Sequence, residues 1–280
     1  MSRLARRHLA HRVATAACLA LALVAVFPLV SVLWELVRHG ADVVTWEFLT
    51  TPPALPLEPG GGIQHAILGT GVVVGLGTLM GAPLGLLIGA YLAESRGKRA
   101  ATVRTVVDAM AGMPSIVAGL FAYAVVVAAV GFSGWAAASA YAVLMVPTVT
   151  RTTEEALRTV PQSYRDASLA LGSPRWRTML LVVLPAAWGG VLTGLLLGVA
   201  RVAGETAPLV VTMIATPFVS TDPAHSLATL PMLIYDYGKS AYPKLNAQAW
   251  GAALVLILMV LALNILVRGM SALRERRLKG

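Results

Sequence analysis

Charge is what this 280-residue chain has least of. Only 12% of its residues are Asp, Glu, Lys or Arg, against 57% hydrophobic, whereas a soluble domain carries about a quarter charged residues. That shortage excludes a water-soluble globule, and a mean hydropathy of +0.75 makes the bilayer its solvent. Cysteine is nearly absent. Cys18 stands alone inside an apolar run, so no disulfide forms within the chain and the thiol reads as a small packing residue. The histidines, His8, His11, His39, His65 and His225, are scattered without ligand spacing, and no metal site is expected. H-E-x-x-H, G-x-S-x-G and paired intramembrane aspartates are missing, which leaves a membrane enzyme without support. Also missing is a G-x-x-x-x-G-K-[ST] phosphate loop, so the chain does not bind ATP in that way. Any energy it uses comes from a partner.

What the chain has is long apolar runs. A helix crossing about 30 Å of hydrocarbon needs roughly 20 apolar residues. Six segments qualify: Val13 to Leu33, Ala66 to Leu92, Pro114 to Val130, Ala136 to Thr148, Leu184 to Thr212 and Trp250 to Val267. The fourth is short and has an alternative start at Gly134. The first follows a basic start and resembles a secretory signal, but its apolar core is too long and lacks a small-x-small cleavage site. It is expected to remain as an anchor. Short loops rich in Lys and Arg stay in the cytoplasm. With both termini cytoplasmic, that rule accommodates all of the 22 basic residues except Arg38, Lys239 and Lys244 outside and Arg201 within a span. The net charge of +9 then reflects topology and gives no reason to invoke nucleic acid. The expected organisation is residues 1–62 as cytoplasmic N-terminus, first span and external loop, 63–269 as a five-helix transmembrane domain, and 270–280 as a basic cytoplasmic tail.

Membrane helices associate where small residues at four-residue spacing let backbones approach. Gly77, Gly81, Gly85 and Gly89 share one face of the second span, and Gly190, Gly194 and Gly198 one face of the fifth. Packing within one subunit is the simpler reading; a subunit interface is the other.

The segment Asp166 to Pro185, DASLALGSPRWRTMLLVVLP, is polar and helix-breaking between two apolar runs. Pro161 suits a first helical turn, and Ser163 to Leu171 is predicted as a short helix. Gly172 supplies a left-handed C-terminal cap. Ser173 is the predicted N-cap of a second helix with Pro174 at its first position. An amphipathic hairpin lying on the lipid surface, anchored by Arg175, Trp176 and Arg177, is the alternative.

Asp166-Ala167-Ser168, then Gly172, then Val182 and Leu184-Pro185, resembles the EAA loop of ABC importer permeases, with Asp166 and Ser168 in place of Glu and Ala. The resemblance extends over GGGIQHAILGT (60–70), GLLIGAYLAE (85–94), VVDAMAGMPSIVAGLF (106–121), EEALRTVPQSYRDASLALG (154–172), VARVAGETAPLVVT (199–212) and TLPMLIYDYG (229–238). These segments are similar to the PstA-type permease subunits of the phosphate importer; the sister PstC-type subunits share several of them. The resemblance implies an all-α membrane protein with the type I ABC importer fold and six transmembrane helices. It implies import of inorganic phosphate across the cytoplasmic membrane of a prokaryote. The implied partners are a PstC-type permease, two ATPase subunits that use ATP and Mg, and an extracytoplasmic phosphate-binding protein. The loop 151–183 would hold the helix that docks on an ATPase, through Asp166, Ala167, Ser168, Gly172, Val182, Leu184 and Pro185. This chain itself is expected to bind no cofactor.

Arg201 lies inside the fifth expected span. A mid-helix arginine costs about 2.5–3.5 kcal/mol on insertion scales, and Glu205, four residues on, suits an i,i+4 ion pair. Either the pair neutralises itself and holds the fold, or Arg201 contacts a passing oxyanion while Glu205 orients it. Arginine's planar donors match phosphate oxygens, and the family motif is matched by Arg201, Glu205 and Thr206. Pro114 and Ser115 read mainly as a helix start. Charge does not separate phosphate from molybdate or sulfate. A non-transporting anchor for an ATPase would share the loop but would have no use for Arg201 and Glu205 in a span.

Overall fold

The computed structural model describes residues 3–279, with side chains described for Arg7 and 11–269. All regular structure among the described residues is helical. Helix α1 (Arg3–Gly40) is followed by the short α2 (Trp46–Thr50), then α3 (Gln64–Glu94) and α4 (Lys98–Ala111). Next, α5 (Ser115–Ala122) widens into a π-helical turn, Tyr123–Val127, and closes as α6 (Ala128–Val130). Helix α7 (Gly134–Arg158) leads to α8 (Gln162–Ala170) and α9 (Arg175–Thr178). A second π-helical turn, Met179–Val183, passes into α10 (Leu184–Ala186) and α11 (Trp188–Ala203). The chain ends with α12 (Ala207–Thr212), α13 (Leu230–Gly238) and α14 (Pro243–Lys279).

Helix α7 is the axis around which the others pack. Ser133 opens it, its hydroxyl accepting the Ala136 N–H at 3.3 Å, a side-chain cap for an otherwise orphan donor. Its alanine-rich first half lets neighbours come close, and Ala137, Tyr141, Leu144, Met145 and Val149 join Val73, Ala82, Val199, Val202 and Leu209 in one core. The α3 glycines meet it directly. A Cβ on Gly77, Gly81, Gly85 or Gly89 would lie 2.7–2.9 Å from Tyr141, Ala142, Val149 or Thr153. From α11, Gly190 and Gly198 approach Ala156 and Val149, at 2.8 and 3.1 Å for the same added atom, and Gly194 faces Thr152. Both stripes therefore serve the same central helix.

Several expected boundaries are corrected. The helix at the expected fourth span begins at Gly134 and runs on to Arg158, well past Thr148; at 1.5 Å per residue it is about 37 Å long, and it is not among the helices apolar enough to count as a span. The fifth is not continuous from Leu184 to Thr212. It bends by 77° where Arg175–Ala186 meets Trp188–Ala203 and ends at Ala203. The third folds back at 102° on Lys98–Ala111. Among the described residues three helices are long and apolar enough to cross a membrane, His11–Gly40, Gln64–Glu94 and Pro243–Gly269, and up to five spans result if each bent pair counts as one. Cys18 is exposed on the first. Helix α14 continues through the expected tail to Lys279, whose side chains lie outside the described residues.

Candidate functional site

The turn between α8 and α9 is built by local chemistry. Pro161 and Pro174 occupy the N-cap positions of the two helices, without side-chain capping bonds. This corrects the expectation that Ser173 caps the second and that each proline lies within a first turn; Pro114 likewise precedes α5 as its N-cap. Gly172 has φ +79°. Its N–H donates to Leu169 O at 2.9 Å and that of Ser173 to Ser168 O at 3.2 Å, the paired bonds of a Schellman motif. Across the turn the Ser168 and Thr178 hydroxyls are 2.9 Å apart. Asp166 and Ala167 are exposed, and Asp166 Oδ1 accepts from Gln162 Nε2 at 3.0 Å. At the tip Leu171 is 88% exposed, with Tyr164 and Trp176 also open to solvent. Val182, Leu184 and Pro185 follow in the π-turn and α10.

This turn is fastened to the bundle by residues that motif reading missed. Arg165, buried, donates Nε to Glu94 Oε1 at 3.0 Å, Nη1 to Val160 O at 2.7 Å and Nη2 to Leu157 O at 2.9 Å. One guanidinium thus satisfies carbonyls at the end of α7 and pairs with the last residue of α3. Glu154, also buried, accepts from Arg104 at 2.6 Å and Arg158 at 2.8 Å, and Arg151 pairs with Asp108 at 2.6 Å. Helix α4 is held to α7 by these pairs. In the sequence the partners are separated by up to 71 residues; helical spacing joins only Glu154 and Arg158.

Arg201 lies in the last turn of α11, exposed, where the partial negative charge of a helix C-terminus favours a cation. Its Nη1 is 3.4 Å from Thr148 Oγ1. The expected Arg201–Glu205 ion pair does not form: no carboxylate lies within 4.0 Å of Arg201 among the described residues. The helix stops between them. Gly204 caps α11, α12 starts at Ala207, and i,i+4 geometry is lost. Buried Tyr141 instead donates its hydroxyl to the Glu205 carbonyl at 2.7 Å, fixing the break to α7. Thr206 accepts backbone N–H groups from Leu209 and Val210. The structure thus brings Arg201, Thr148, Glu205 and Thr206 to one interruption in the bundle. At the other end of α3, buried His65 and Thr229 line a cavity of about 220 Å³ with Asp236 and Tyr237, and His65 Nδ1 and Thr229 Oγ1 have no protein partner. A histidine in an apolar run gave no sequence signal of that burial. No cluster suited to a metal occurs among the described residues.

The helical bundle is thus interrupted beside Arg201, and a solvent-facing helix-turn-helix lies at one end. Residues 81–280 match the binding-protein-dependent transport system inner membrane components, and the chain belongs to that family. Within it, the chain is 43% identical over 263 residues to the phosphate transport system permease protein PstA of Yersinia pestis, covering 92% of this chain and 88% of that one. The PstA of Haemophilus influenzae is 40% identical over 88% of both chains, and PstA 1 of Mycobacterium tuberculosis strain H37Rv 40% over 97% and 91%. A solved chain of the bacterial alginate ABC transporter superimposes with TM-score 0.69 at 14% identity, covering 96% of this chain and 97% of that one. One of the MetNI methionine ABC transporter gives 0.59 at 20%, over 75% and 92%. These last two establish the fold alone.

Proposed function

We propose that this chain is the permease subunit of an ATP-driven importer that carries inorganic phosphate across the cytoplasmic membrane of a prokaryote. The carrying observation is its 37–43% identity, over most of its length, to eight PstA phosphate permeases. Six spans with both termini inside follow from the basic-residue distribution, with α7 as the buried fourth. The working complex contains a PstC-type sister, two ATPase subunits and a phosphate-binding protein. A partner is needed on physical grounds too, since a single tightly packed bundle leaves no room for a hydrophilic path that changes shape.

The α8–α9 turn is the proposed ATPase docking element, its exposed Leu171, Tyr164 and Trp176 forming an apolar protrusion that a partner covers. Fixed by Ser168 and Arg165 and joined to α11 through the π-turn, α10 and a 77° bend, it passes rigid-body motion from the ATPases to the interruption at 204–206. Non-helical backbone at membrane depth is tolerated only where protein buries it or it lines an aqueous cavity. That favours the pathway reading of Arg201, Glu205 and Thr206 over a purely structural one, as does the missing Arg201–Glu205 pair, which leaves the guanidinium available to an oxyanion. Transport of molybdate or sulfate is the alternative, distinguished by competition. The test is complementation: cells lacking their own PstA-type subunit regain phosphate uptake with this chain and its partners, and regain little with Arg201→Gln at equal expression. Full uptake by Arg201→Gln would remove that residue from the pathway; no uptake by the wild-type chain would overturn the reading.

A further inference from the structure

Beneath the α8–α9 turn lies a second concentration of charge that the transport path does not use. A cavity of about 930 Å³ opens there, lined by Glu94, Arg96, Arg158, Arg165 and Arg175 together with polar and apolar neighbours. Four arginines face one carboxylate. Two of them are already committed, Arg165 to Glu94 and Arg158 to Glu154. Arg96 and Arg175 have no carboxylate within 4.0 Å among the described residues, although both border the same cavity, one just past the end of α3 and the other opening α9. Thr178, whose hydroxyl is shared with Ser168, stands on the same wall.

From this arrangement we propose a binding site for a phosphate group, separate from the transport path. Two guanidiniums without carboxylates, with two more in the lining, supply the kind of planar donors that a tetrahedral oxyanion accepts. Arg165 and Thr178 are buried in its wall while Arg96 and Arg175 are exposed, so the site is open to a ligand from solvent. Because its walls come from α3, α7, α8 and α9, a phosphate held there ties the α8–α9 turn to the bundle and restrains the motion the turn transmits. The inference rests on the proposed import of phosphate and on the cytoplasmic placement of this face: phosphate accumulating inside would then slow further uptake. An anionic lipid headgroup offers the same chemistry.

The test is equilibrium binding of radiolabelled inorganic phosphate to the assembled, nucleotide-free permease–ATPase complex in phosphatidylcholine nanodiscs, without the binding protein. Wild type is compared with Arg201→Gln, Arg96→Gln/Arg175→Gln and Arg96→Lys/Arg175→Lys, each checked for assembly by size exclusion. Binding is expected to survive Arg201→Gln, to weaken about tenfold or more in the glutamine pair, and to recover in part in the lysine pair, which keeps charge without the planar fork. Unchanged binding in the glutamine pair overturns the site, as does loss of binding in Arg201→Gln alone. Nanodiscs containing phosphatidylglycerol separate the sources: displacement of phosphate from wild type identifies a lipid headgroup, and undisturbed binding the free anion, both in keeping with the site. If neither ligand distinguishes wild type from the glutamine pair, the inference fails. Phosphate uptake by the wild-type complex with its binding protein is measured alongside; its absence would strike the importer reading, while a failed binding contrast with normal uptake would strike this site alone.

Discussion

Single side chains carry more of this structure than their rarity suggests. Arg165 is the strongest case: one buried guanidinium closes the end of α7 and joins α3 to α8, and a hydrogen bond to a charged group is worth about 1.5–3 kcal/mol. Arg165→Met, which keeps the apolar stem, should lower the thermal stability of the purified complex by about 1–3 kcal/mol, because Val160 and Leu157 carbonyls lose a donor. An unchanged melting temperature would show that the staple is dispensable. Tyr141→Phe removes only the hydroxyl that holds the Glu205 carbonyl. Its expected effect is about 1 kcal/mol in stability with a larger loss in transport, read as uptake rate at equal expression; loss of stability without loss of rate would detach the break from the pathway. Arg165 and Tyr141 gave no signal in the sequence. Arg165 sits inside a motif where its neighbour Asp166 draws attention, and Tyr141's partner is 64 residues away.

At the scale of elements, the periodic features were legible and the broken ones were not. Gly77, Gly81, Gly85 and Gly89 could be placed on one face from spacing alone, because a helix turns about 400° in four residues, and Gly172 could be assigned a left-handed turn because no other residue type adopts one cheaply. The end of α11 escaped because Val199 to Thr212 is uncharged except for Arg201 and Glu205, and hydropathy does not register a change of direction at Gly204. Helix α7 was cut short for the opposite reason. RTTEEALR looks like a loop, yet Glu154 is neutralised by Arg104 and Arg158 and stays buried, so tertiary pairing carries the helix ten residues past Thr148. Gly85→Val would drive a side chain into Val149 and, with overpacking costing about 1–3 kcal/mol, should reduce folded protein in the membrane; the same change at Gly75, which has open space around its Cβ position, should not. Equal yields from the two variants would contradict the α3–α7 packing. Gly172→Arg places a side chain where φ is +79° and enlarges the docking tip; it should leave the permease in the membrane while releasing the ATPases. ATPases that stay bound, with undiminished uptake, would refute the docking role.

As a whole molecule the chain is an incomplete machine. It has an apolar protrusion at one end, a helix α1 whose apolar residues from Val13 to Leu33 are exposed, and an arginine at a helix break, and each is a surface that a partner, lipid or ligand can cover. The chain's resemblance to PstA permeases was readable from motif segments scattered over residues 60–238, since those segments coincide with the turn, the break and the packing faces that function demands. Cargo was not legible from charge, because guanidinium recognises phosphate, sulfate and molybdate through the same geometry. The most direct test of the central claim is therefore uptake of radiolabelled phosphate by the reconstituted importer, assembled with and without this subunit and challenged with sulfate and molybdate. Phosphate uptake that requires this chain and is not competed by the other two anions is the predicted result; uptake that persists without it, or that sulfate or molybdate suppresses as well as unlabelled phosphate does, would contradict the account.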